Sequence, residues 1–339
     1  MKCRILILCF SAIAFTAGAA PLNKTNIGAD AHWVIHLDLE AFRQSKLGTL
    51  ILTDIQTQFG EKVQAIQELI GSNVLTDFNH FTLYGPDHEE QNAVLLAEGR
   101  FNPQKLTALL ALNPQYQKST YRSYTLYRWF AEQQGKNQVG TFARENLIAI
   151  SQNQESLQQA LDVLDGKRPS LSEAPWLNAQ GQVPGKPILL AAAGGVKILS
   201  TNYPQAAMLT KTEALHLFIN ENNSSFQISL LLQMPDPQTA LQVEQAVLGM
   251  KAILTLSQNN ASSPQPNENK ANQNHIFAGI NPSRWLPFLN NCQVSTSQNA
   301  VTIRFEMPPE TLYELLKQWR SSPEQPGTQP QQQENRTGQ

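Results

Sequence analysis

The chain has 339 residues, of which 41% are hydrophobic and only 15% charged, with a formal net charge of −2 and a pI near 6.3. That length points to two domains or two fused halves, with enough apolar content for a core in each. The 36 Gln and 26 Asn outnumber the 25 Lys and Arg and 27 Asp and Glu taken together, and the basic residues form no run, so no field favours nucleic acid or an anionic lipid surface.

At the N-terminus, Lys2 and Arg4 precede an apolar run from Ile5 to Phe15, and the small residues Ala17-Gly18-Ala19 follow. This order predicts a secretory signal peptide over 1–19. The run is about half the length of a membrane-spanning helix, and no later segment reaches spanning length. The expectation is an exported protein, periplasmic or extracellular, with no integral membrane segment in the mature chain. Cys3 and Cys9 would leave with the signal peptide. Cys292 then remains alone, beside the β-run "CQVSTS", and reads as a small buried hydrophobe.

The first predicted element of the mature chain lies in "HWVIHLDLEAF", residues 32–42. As a strand it places Trp33, Ile35 and Leu37 on one face, the expected core face, and His32, Val34, His36 and Asp38 on the other. His36 and Asp38 would sit about 6.5–7 Å apart and could share a metal, whereas His32, about 13 Å from His36, could not join them. The competing reading makes Asp38 the N-cap of a helix starting at Leu39, with Glu40 favourable in its first turn. That structural reading is preferred. A zinc-protease helix is excluded, because Trp33 stands where the His-Glu-x-x-His motif needs Glu.

Further along, apolar residues at helical spacing predict a helix over 47–70 that Gly71 stops. "HFTLYG" and "NAVLLAEGRF" read as two strands, followed by a helix capped by Asn102 with Pro103 at its first position. "YRSYTLYRWF" (121–130) reads as one strand with Tyr121, Tyr127 and Trp129 on one face and Arg122 and Arg128 on the other. These five residues are the candidate binding surface for a protein or glycan partner; the alternative is an ordinary, well-paired strand. "QVGTFA" and "LIAIS" form a hairpin leading to a helix that Gly166 ends.

The second half repeats that order. "PILLAAAGG" is its opening strand, "ALHLFIN" and "SFQISLLLQM" its first hairpin, and Asp236-Pro237 starts its first helix. "CQVSTS" and "AVTIRFEM" make a second hairpin, leading to "PPETLYELLKQW". Strand, hairpin, helix, hairpin, helix thus appears twice, over 28–170 and 185–320, and predicts an internal duplication. The fold class is α+β, two similar halves each made of an antiparallel sheet covered by helices. Residues 257–274 read as a polar loop and 321–339 as a disordered tail.

The quoted stretches "AHWVIHLDLEAFRQSKLG", "FTLYG", "LLAEGRFN" and "LDVLDGK" resemble secreted proteins of planctomycete- and verrucomicrobia-type bacteria that carry a duplicated α+β unit. The likeness covers residues 30–170 and, in the second half, the order of elements. It implies export and duplication and brings no catalytic residues. No nucleophile elbow, phosphate loop or metal-type Cys/His cluster is present, and His80, His88, His216 and His275 read as isolated. The functional expectation is a non-catalytic exported binding or scaffold protein with no cofactor. Its rivals are a hydrolase assembled around His36 and Asp38, and an envelope regulatory or assembly factor.

Overall fold

In the computed structural model, which describes residues 22–133, 135–172, 174–177, 187–195, 210–222, 225–261 and 291–321, the predicted strands join a single sheet. The first half supplies β1 (Trp33–Asp38), β2 (Phe78–Gly85), β3 (Val94–Gly99), β4 (Gln117–Tyr121), β5 (Tyr124–Ala131), β6 (Lys136–Arg144) and β7 (Leu147–Ser151). The second half supplies β8 (Leu189–Gly194), β9 (Ala214–Asn222), β10 (Ser225–Gln233), β11 (Cys292–Ser297) and β12 (Ala300–Met307). Helices are α1 (Leu39–Gln44), α2 (Lys46–Ile70), α3 (Pro103–Leu110), α4 (Gln154–Leu164), α5 (Pro237–Ala261) and α6 (Pro309–Ser321). The expected signal peptide and the greater part of the expected loop and tail lie outside the described residues. Residues 257–261, assigned to that loop from the sequence, continue α5 instead.

The fold is α+β, and its sheet of twelve strands is antiparallel at each described pairing, in the order β11-β12-β10-β9-β8-β1-β2-β3-β7-β6-β5-β4. Separate sheets for the two halves were expected. They merge because β1 and β8 pair with each other, Trp33 opposite Ala193 through Leu37 opposite Leu189. Each strand would otherwise leave a row of backbone groups without partners at an edge. Outward from this seam the strands run β1-β2-β3-β7-β6 on one side and β8-β9-β10-β12-β11 on the other, with the β4–β5 hairpin extending the first side. Glu221 of β9 also reaches across the seam, its carboxylate accepting from the Lys46 and Leu47 amides at 2.7 and 3.1 Å at the start of α2.

Local signals set the helix ends. Asp38 caps α1 by accepting from the Ala41 amide at 2.8 Å, and Ser45 caps α2 through Gly48 at 2.9 Å. Asn102 caps α3, and Asp236 accepts from both the amide and the hydroxyl of Thr239 at the start of α5. Gly71 closes α2 in the left-handed conformation at φ 74°.

Burial reverses the face assignment expected for β1. Val34, His36 and Asp38 are 0, 5 and 2% exposed, while Ile35, on the expected core face, is 39% exposed. The reason lies outside the strand. An N-terminal strap, residues 22–31, crosses the Val34 face and is tied down where Leu171 donates to the Ile27 carbonyl at 2.8 Å and Ala29 to that of Pro169 at 3.1 Å. Leu22 and Ile27 of the strap, Leu157 and Leu161 of α4, and Leu177 then close one core over Val34 and Tyr84. Burying a leucine side chain completely contributes roughly 1.5–3 kcal/mol, so the leucines of this core offset the cost of enclosing His36, Asp38 and His80. On the opposite face, α1, α2 and α6 pack around Leu37, Leu47 and Leu312, and α5 covers Leu232 and Val301.

Candidate functional site

The register of β1 against β2 sets His36 opposite Thr82 and Asp38 opposite His80. Directly opposed residues of an antiparallel pair share a face, so all four project beneath the strap. The two imidazoles stack with centroids 5.5 Å apart and planes 21° apart. His36 Nδ1 lies 2.9 Å from Thr82 Oγ1. Asp38 Oδ1 is committed to the α1 amide and stands 3.8 Å from His80 Nδ1, beyond hydrogen-bond length. His36 Nε2 and His80 Nδ1 are buried without a hydrogen-bond partner.

These groups line a cavity of about 470 Å³. His36, His80 and Thr82 form one side, and Leu96 and Glu98 of β3 with Leu147 of β7 continue it. The strap closes the other side with Leu22, Asn23, Lys24 and Asn26. Asn23 shapes that segment by capping the single 3-10 turn Lys24–Asn26, its Oδ1 accepting from the Thr25 amide at 3.1 Å and hydroxyl at 2.6 Å. Glu98 Oε1 accepts from Asn146 at 3.1 Å. Among the described residues, neither Lys24 nor Glu98 belongs to an ion pair.

Burial, and secondarily the neighbouring His80, pull the His36 imidazole down from 6.5 to about 4. At neutral pH it is therefore uncharged, and its Nε2 is a donor or an acceptor according to which way the Thr82 hydroxyl bond runs. No group of three or more His, Cys, Asp or Glu side chains that could hold a metal ion occurs among the described residues. The His36–Asp38 metal pair considered from the sequence therefore gains no further ligand there.

His80, read from the sequence as isolated, is the residue that sequence reasoning missed. It shares the parity of Thr82 and the buried Tyr84 in "FNHFTLYG", and that alternation marks its face once β2 is placed beside β1. His216 is likewise buried, with Nε2 2.5 Å from the Trp176 carbonyl oxygen and Nδ1 unpartnered. His275 lies outside the described residues.

The expected aromatic–arginine strand is a hairpin. β4 ends at Tyr121, Arg122 turns the chain at φ 53°, and β5 begins at Tyr124. Tyr121 then opposes Tyr124, whereas Tyr127 opposes Lys118, so Tyr121 parts from Tyr127 and Trp129. Tyr121 and Arg122 bond Asp162 of α4 at 3.1 and 3.2 Å, and Arg128 bonds Gln154 at 2.9 Å. On the other face Tyr127 stacks on Tyr116 and meets Phe142 edge-on. These five side chains form no common surface; the first group fastens the hairpin to α4. A wider hollow of about 1070 Å³ lies along α2 from Gln56 to Gly71 and out to Lys105, but none of its lining side chains has a buried unpartnered polar atom.

Fold and site together define an α+β protein built on one wide antiparallel sheet, with a histidine-lined cavity under its N-terminal strap. No protein-family model matches the chain, and no curated protein does. Among solved structures it is similar to TP0453, a spirochete protein: crystal form III aligns at 10% identity and a TM-score of 0.46, covering 89% of this chain and 100% of that one. Form I aligns at 10% identity and 0.44, covering 90% and 100%. At those scores the likeness carries no argument about this chain. Among the described residues no helix is long and apolar enough to cross a membrane.

Proposed function

We propose that the chain is an exported, non-catalytic binding protein whose ligand is a small molecule held in the cavity between the strap and β1–β3. One observation carries the reading: His36, a residue 5% exposed whose Nε2 is buried without a hydrogen-bond partner, lines that cavity. A buried polar atom left unbonded costs about 1–3 kcal/mol, and a bound molecule supplies the missing hydrogen bond. The cavity volume falls in the range of about 300–1,000 Å³ that small-molecule sites occupy. Against the hydrolase reading stands Asp38, whose Oδ1 caps α1 and lies 3.8 Å from His80 Nδ1, beyond hydrogen-bond length. The order of charged, apolar and small residues at the N-terminus supports export, and the matched strand order on either side of the β1–β8 seam supports an origin by internal duplication.

Ligand-observed NMR with L-leucine, 4-methylpentanoate, 3-methylbutylamine, glycyl-L-leucine and glucose tests the reading. Binding by at least one probe is expected, lost in Leu96→Trp, which fills the cavity from β3, with the urea midpoint confirming that the variant is folded. Binding by none, or binding that Leu96→Trp leaves intact, would place the ligand elsewhere.

A further inference from the structure

We infer that the cavity takes an amphoteric ligand, an amino acid or dipeptide carrying one carboxylate and one ammonium group. This deepens the small-molecule reading above and rests on it. The lining carries two formal charges of opposite sign. Lys24 sits on the strap and Glu98 on β3, both border the same space, and no ion pair joins them. Opposite charges that share a partly enclosed space gain by pairing, with each other or through a molecule carrying the complementary charges. A ligand carboxylate would meet Lys24, and a ligand ammonium would meet Glu98, whose Oε1 already accepts from Asn146 while Oε2 is left for the ligand. A singly charged ligand would meet only one of the two charges and cover the other without pairing it.

The uncharged groups agree with this assignment. His36, which lines the cavity, is uncharged at neutral pH and so adds no second cation that would favour a dianion. Leu22, Leu96 and Leu147 supply an apolar wall for a side chain, and each is at least nine-tenths buried. The cavity, at about 470 Å³, has room for a dipeptide as well as a free amino acid.

Isothermal titration calorimetry on the full mature chain tests the assignment with L-leucine and glycyl-L-leucine, their N-acetyl forms, which lack the ammonium, and their C-terminal amides, which lack the carboxylate. The parent zwitterions are expected to bind at least about tenfold more tightly than either blocked form. Lys24→Met should abolish the preference over the amides, and Glu98→Gln the preference over the N-acetyl forms. Both positions are only part-buried, so neither variant threatens the fold. Blocked forms that bind as tightly as the parents, with binding still lost in Leu96→Trp, would overturn the amphoteric assignment and leave the cavity as a site for another small molecule. Absence of binding by every probe in both panels would overturn both readings.

Discussion

Acid should weaken this fold through His36 in particular. Its imidazole titrates near 4 when folded, against 6.5 for the free side chain. Between those values the unfolded chain binds a proton that the folded chain refuses, so stability rises with pH through the window and falls as the solution is acidified. At about pH 4.5 the deficit from this one residue is about 2–3 kcal/mol, and the full difference corresponds to about 3 kcal/mol. Burial also depresses His216, which acts in the same direction and calls for a difference measurement. His36→Asn keeps a hydrogen-bonding atom near the position of Nδ1, opposite the Thr82 hydroxyl, and cannot titrate. Urea unfolding of both proteins at about pH 7.5 and about pH 4.5 should show wild type losing about 2–3 kcal/mol more than the variant across that interval. Parallel losses in the two proteins would mean that His36 protonates freely in the folded state, and the enclosed cavity would have to be abandoned.

Three further outcomes follow from local geometry. Asp38→Ala removes the cap at the start of α1 and should cost about 1–2 kcal/mol, whereas Asp38→Asn, which keeps an accepting oxygen, should cost clearly less; chemical denaturation of the two variants separates a capping role from a charged one. A methyl group at Gly48 would run into the Phe42 carbonyl where α1 turns into α2, so Gly48→Ala should lower stability by about 1–3 kcal/mol despite the better helix propensity of alanine, read as a fall in the urea midpoint. Burial raises the Cys292 thiol above its ordinary value, and the native protein should therefore react with a disulfide reagent many times more slowly than the same protein in denaturant, as followed by thiolate release.

Features that depend on a few consecutive residues were legible in the sequence. Asn102-Pro103 and Asp236-Pro237 announce helix starts because cap and first turn are neighbours in the chain, and Gly71 marks a stop because its left-handed backbone is local. The face of β1 was misread for the opposite reason. Both of its faces carry aliphatic side chains, and the choice between them is made by the strap, α4 and Leu177, the last of them well over a hundred positions along the chain. Nor does "YRSYTLYRWF" contain the Gly, Pro or Asn-Gly that would betray a turn. Arg122 occupies that position in a conformation arginine seldom adopts, stabilised by its bonds to Asp162. His36 and Asp38 were visible as polar residues in an apolar strand, but their meeting with His80 depends on the register of β1 against β2. The β1–β8 seam, which makes one sheet of two halves, is likewise a long-range pairing that no local pattern encodes.

The imidazole nitrogens themselves report most directly on whether the strap encloses a binding site. Long-range proton–nitrogen spectra of histidine-labelled protein, taken without ligand and with the tightest binder from the two panels, should show His36 uncharged down to about pH 5 and its Nε2 resonance moving to saturation as ligand is added. A His36 ring that titrates near its ordinary value, or His36 and His80 signals that stay fixed while the ligand saturates, would contradict the account.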